Sequence, residues 1–153
     1  MSHYRNNKSQ KFRFAPEVEA AFIIAPVLLV FCILGLFMDH DYAIIPYIIR
    51  FILLIIVGYL GATRLHNRWG ITAKRNIYNQ MVPTGRLAGF YSAAAAWGIT
   101  LVFMIIGALV DMDMEMGVIA GFLSALLDIG AGFLFGSLGG WIYSKMNRPR
   151  IMR

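Results

Sequence analysis

Long apolar runs alternate along this chain with short clusters of charge. Apolar residues dominate at about 20–38, 43–62, 87–110 and 117–143, and the lysines and arginines fall between or outside these stretches with one exception, Arg50. Each run approaches or exceeds the ~20 residues that a helix rising 1.5 Å per residue needs to cross a hydrocarbon core of about 30 Å. A backbone in lipid must satisfy its own hydrogen bonds, so the pattern predicts helices throughout. The expected fold class is an all-α membrane protein, a four-transmembrane-helix bundle. The first run is not read as a removable leader, because it lacks a small-residue cleavage site and passes through Asp39-His40-Asp41 directly into the second.

Composition agrees. The chain is 59% hydrophobic and 14% charged with a mean hydropathy of +0.65, whereas a soluble domain is about a quarter charged. Its 153 residues read as a basic segment 1–19, a membrane domain 20–143 with a basic loop at 63–86, and a basic tail 144–153. No space remains for a folded catalytic or nucleotide-binding module. The single cysteine, Cys32, lies inside the first run, which excludes an intrachain disulfide and a cysteine zinc site.

Charge supplies direction. Arg5, Lys8, Lys11 and Arg13 precede the first run; Arg64, Arg68, Lys74, Arg75 and Arg86 fill the central connection; Lys145, Arg148, Arg150 and Arg153 follow the last. The outer connections, Asp39 to Asp41 and Asp111 to Glu115, carry no lysine or arginine. The positive-inside bias therefore predicts that both termini and the central loop face the cytoplasm across a cell inner (plasma) membrane. Reporter fusions at Arg153 and within 64–86 should read as cytoplasmic and fusions within 111–115 as external; an external signal from the central loop would reverse the topology. The net charge of +6 is a topology signal and calls for no nucleic acid. Arg68, Lys74 and Arg75, beside Trp69, Ile71 and Tyr78, are expected against lipid headgroups.

A repeat underlies the four runs. Phe31 to Gly35 reaches Asp39 and Asp41 at the spacing by which Phe103 to Gly107 reaches Asp111 and Asp113, and Arg13-Phe14-Ala15 echoes Arg86-Leu87-Ala88 one residue out of phase. This reads as two copies of a helical hairpin, related by an axis along the membrane normal.

The hairpins differ in one respect that bears on chemistry. Arg50 and Asp128 both fall in the second helix of their hairpin, about 13 Å and 19 Å from the outer acidic turns at 1.5 Å per residue, and a long arginine can span the difference. Arg50 shares a helical stripe with Leu54, Gly58 and Gly61; Asp128 shares one with Gly121, Ser124, Gly132 and Gly136. Small residues at four-residue spacing mark close helix approach, so both charges should point into protein and meet. The pair serves either as a static lock or as an ion or proton relay.

Gly132, Gly136 and Gly140 form consecutive GxxxG steps, which suit packing inside the bundle or contact with another chain. Gly89 and Ala93 to Ala96 give the third run a second smooth surface. The outer turns offer His40, Asp111, Met112, Asp113 and Met114 as metal ligands, without a specific ligand spacing, so no metal site is assigned. The three histidines, His3, His40 and His66, cannot ligate haem from two helices within the membrane. No cofactor is expected. HExxH, GxSxG and P-loop patterns are lacking, and the chain is not expected to be an enzyme. The expected role is association, as a homo-oligomer or as a subunit of a larger membrane complex, with the glycine ridge as the contact surface. The alternatives are a small ion- or proton-coupled transporter or channel using Asp128 and Arg50, and a metal-handling membrane protein using the outer Met and Asp turns.

Overall fold

The computed structural model describes residues 14–37, 44–69, 76–110 and 115–147. They form four helices: α1 (Pro16–Phe37), α2 (Ile44–Trp69), α3 (Asn76–Val110) and α4 (Glu115–Asn147). All four are long and apolar enough to cross a membrane, and the architecture is that of a multi-pass helical membrane protein.

The helices outrun the apolar stretches at the basic end of the bundle. Residues 63–86, expected as a loop, are mostly helical: α2 continues to Trp69 and α3 begins at Asn76. Hydropathy marks where lipid ends, whereas a helix ends where its backbone bonds and packing do. Arg64, Arg68 and Arg86 are therefore helical residues. The start of α1 has local support from Pro16 at its first position and from Glu17 and Glu19 in its first turn. Pro46 lies in the first turn of α2, where no intrahelical bond needs its N–H, so it does not kink that span. Pro83, inside α3, removes the backbone bond that would have gone to Asn79.

α2 and α3 meet along the centre; α1 packs on both from one side and α4 on both from the other, with no contact between α1 and α4 among the described residues. A two-fold axis relating the hairpins would require α1 to meet α4 as α2 meets α3. The packing does not have that symmetry.

Side-chain size is distributed inversely to a soluble bundle. Ala20, Val57, Ala88, Ala93, Ala96 and Ala125 are buried, while Phe22, Phe103, Leu127 and Leu134 are exposed. Lipid is as apolar as leucine, so no hydrophobic force drives helices together, and close van der Waals contact between smooth surfaces takes over. The tightest seam joins α3 to α4. A Cβ placed on Gly89 would stand 2.1 Å from the Gly132 carbonyl oxygen, and one on Gly140 2.3 Å from that of Met81. α2 closes the other side: a Cβ on Gly58 would fall 2.1 Å from the Gly136 oxygen, and one on Gly139 2.0 Å from that of Ile55. A Cβ on Gly61 would meet the Ala88 Cβ at 3.1 Å, and one on Gly121 would meet only the flexible end of the Met104 side chain, at 2.6 Å. The ridge of Gly132, Gly136 and Gly140 is thus filled from within the chain. As the surface for another protein it is corrected: α2 and α3 already occupy it.

Candidate functional site

Arg50 and Asp128 meet, as their helix faces imply. Arg50 Nη1 donates to Asp128 Oδ2 at 2.5 Å, with the residues 3% and 5% exposed. The same oxygen accepts Trp97 Nε1–H at 2.6 Å. Nη1 also lies 3.7 Å from Cys32 Sγ, and the guanidinium carbon stands 4.0 Å from the centroid of the Tyr47 ring. Each helix contributes to this centre: Cys32 from α1, Arg50 from α2, Trp97 from α3 and Asp128 from α4.

The local sequence explains the convergence. Asp128 lies on the α4 face that carries Ala125, Gly132 and Gly136, all buried, and the close α3–α4 seam brings it to the Trp97 indole. Arg50 lies on the buried α2 stripe with Leu54, Val57, Gly58 and Gly61. Ser124, expected on the Asp128 stripe, is only partly buried. Charges at this depth are tolerated only when paired and hydrogen-bonded. Asp128 has two donors on one oxygen, and Arg50 has a carboxylate, a thiol and an aromatic face.

The satisfaction is incomplete. Arg50 Nε is buried with no protein partner, and so is the Ser92 hydroxyl, five residues before Trp97 on α3. A cavity of about 10 Å³ adjoins the centre, walled by Leu28, Leu54, Ala93 and Ala96 together with the polar residues. That is about the smallest volume able to hold a single water. Thr100, also buried, spends its hydroxyl on the Ala96 carbonyl at 2.9 Å. In this conformation the centre is closed.

Trp97 and Cys32 were not singled out from sequence as parts of this centre. Trp97 carried a usable signal: tryptophans concentrate at membrane interfaces, and one in mid-span must find an acceptor for its N–H. Cys32 carried none, because a thiol in an apolar run reads as packing.

A second polar cluster lies at the basic end. Arg64 Nη1 donates to Glu19 Oε2 at 3.2 Å, and Arg68 Nη2 donates to Glu19 Oε1. Arg68, expected against headgroups, is thus tied to α1. Tyr78 is buried, contrary to an interfacial placement, and its hydroxyl donates to the Asn147 carbonyl at 3.2 Å. The His66 Nδ1 and the Tyr143 hydroxyl share a hydrogen bond of 3.0 Å, and Tyr59 stacks edge-on to Tyr143 at 4.9 Å. Arg86 Nε donates to Ser137 Oγ at 3.3 Å. Lys74, Arg75, His40, Asp111, Met112, Asp113 and Met114 lie outside the described residues. Among the described residues no group of three histidine, cysteine or acidic side chains could hold a metal ion.

Compared with protein-family models, curated proteins and solved structures, the chain matches none. Its class therefore rests on fold and site: a four-helix multi-pass membrane bundle closed around a buried ion pair.

Proposed function

We propose that this protein acts by helix association within a membrane, as a homo-oligomer or as a subunit of a larger membrane complex, and not as an enzyme. With the ridge on α4 filled internally, the surface that supports this reading is the outer face of α3. Gly98 is exposed, and nothing stands within 4 Å of where its Cβ would be. Ala95 and Tyr91 are exposed beside it, and Ala94 is partly so. A glycine in a helix costs about 1 kcal/mol relative to alanine, and among the described residues nothing packs against Gly98 to compensate. Ala94 and Gly98 have the spacing at which a second helix backbone can approach closely.

The test is the assembled mass of the purified protein, with whatever subunits accompany it, in detergent and in nanodiscs. Gly98→Leu should leave the bundle folded and shift the population to the single chain, whereas Ile99→Leu, on the exposed surface nearby, should not. An unchanged mass with Gly98→Leu would remove this face as the contact.

One observation favours a second reading, an ion- or proton-coupled transporter. Residues from all four helices surround the Arg50–Asp128 pair, so a change in the protonation of Asp128 would act directly on Trp97 and Arg50 and, through Arg50, on Cys32. On this reading Asp128→Asn folds but loses pH-dependent flux in proteoliposomes.

A further inference from the structure

We propose that Arg64 and Arg68 form a binding site for the phosphodiester of an anionic phospholipid, at the basic end of the bundle between α1 and α2. The two arginines stand one helical turn apart on α2 and reach across to opposite oxygens of Glu19 on α1. They border a cleft of about 600 Å³ that Glu19 and Asn67 complete. Two guanidiniums against one carboxylate leave one net positive charge. Each guanidinium has five N–H donors and commits one nitrogen to Glu19, so donors remain for an anion. Glu19 also keeps two flexible side chains in place, so that less rotamer entropy is lost when a phosphate binds. Arg64 is half exposed and Arg68 about one-fifth exposed, with side-chain values of 45% and 19%. One thus faces the opening while the other lies against the wall.

The surroundings point to a lipid as the source of the phosphate. One and two turns deeper along α1 from Glu19, Ile23 and Val27 are exposed, and Ile56 on α2 is exposed two turns deeper than Arg64. A charged cleft that continues into an uncovered apolar strip fits a headgroup with an acyl chain below it. A free phosphate would use only the upper half. Arginine suits the task better than lysine, because its planar fork matches phosphate oxygens in pairs.

The experiment uses the full chain in phosphatidylcholine nanodiscs with a minor fraction of phosphatidylglycerol, and reads the phosphatidylglycerol retained per protein by native mass spectrometry. Taking about fivefold per guanidinium near a membrane surface, Arg64→Gln with Arg68→Gln should lower retention by about twenty-five-fold. Lys145→Gln, which removes a cation from a separate groove between α3 and α4, should change it by less than about twofold if the site is local. Glu19→Gln, which removes the competing carboxylate, should retain phosphatidylglycerol at least as well as the parent. A loss of about fivefold in Lys145→Gln, the full share of one charge, would mean a diffuse surface potential and overturn the site. So would complete displacement by millimolar inorganic phosphate, which would make it a soluble-anion site. If the Glu19 and arginine variants lower the melting temperature alike and leave lipid retention unchanged, the cluster only clamps α1 to α2 and the proposal fails.

Discussion

Gly136→Leu should disrupt the bundle itself. A Cβ at this position would stand 2.4 Å from the Gly85 carbonyl oxygen and 3.0 Å from the Gly89 Cα, and those are backbone atoms that cannot rotate away. α2 blocks the opposite direction, since the Gly136 oxygen already lies 2.1 Å from where a Cβ on Gly58 would be. The only relief is separation of the helices along the seam on which the small-residue core depends. Overpacking by a methylene or so costs about 1–3 kcal/mol where side chains can adjust; a leucine against rigid backbone should exceed about 3 kcal/mol. Gly130→Leu is the control, because nothing lies within 4 Å of its Cβ, and it should change stability by less than about 1 kcal/mol. Unfolding by denaturing detergent, followed by circular dichroism, measures both. A Gly136→Leu protein that unfolds at the parent's midpoint would show that α3 and α4 do not meet as described.

The second large effect belongs to the charge centre. Asp128→Asn keeps one oxygen able to accept from Trp97 and Arg50 but removes the charge, leaving a guanidinium that is 3% exposed without a counter-ion. Breaking a buried pair in this way costs about 3–5 kcal/mol. Arg50→Gln should cost a similar amount by stranding the carboxylate. The double variant, with two neutral amides, should recover much of the combined loss, because the desolvation of both charges disappears together. Unfolding measurements on the two single variants and the double give the coupling directly. Strictly additive losses would mean that the pair contributes nothing as a pair. A stable Asp128→Asn protein that has lost pH-dependent flux would favour the transporter reading over the association reading.

The four spans and the inward orientation of Arg50 and Asp128 were legible in the order of residues, for one physical reason. Lipid imposes its condition locally: each stretch must be apolar for about 30 Å, and each unavoidable charge must lie on the face where small residues allow protein to approach. Hydropathy and helical spacing read both conditions one helix at a time. The extension of α2 and α3 beyond the apolar runs was not legible, because Arg64, Arg68 and Arg86 look like loop charges until their partners Glu19 and Ser137 are known. The role of the glycine ridge could not be read either. Gly132, Gly136 and Gly140 announce that some helix comes close, but which helix depends on the surface opposite. Only the fold places Gly85, Gly89 and Met81 there, while it turns Gly98 and Gly130 outward. Trp97 and Cys32 joined the charge centre in the same manner, from helices whose own sequences contain no sign of Asp128. What the sequence determined by itself was the condition each helix must meet alone; the choice of neighbours was left to tertiary structure, because close packing is a property of two surfaces and each is written in a different part of the chain.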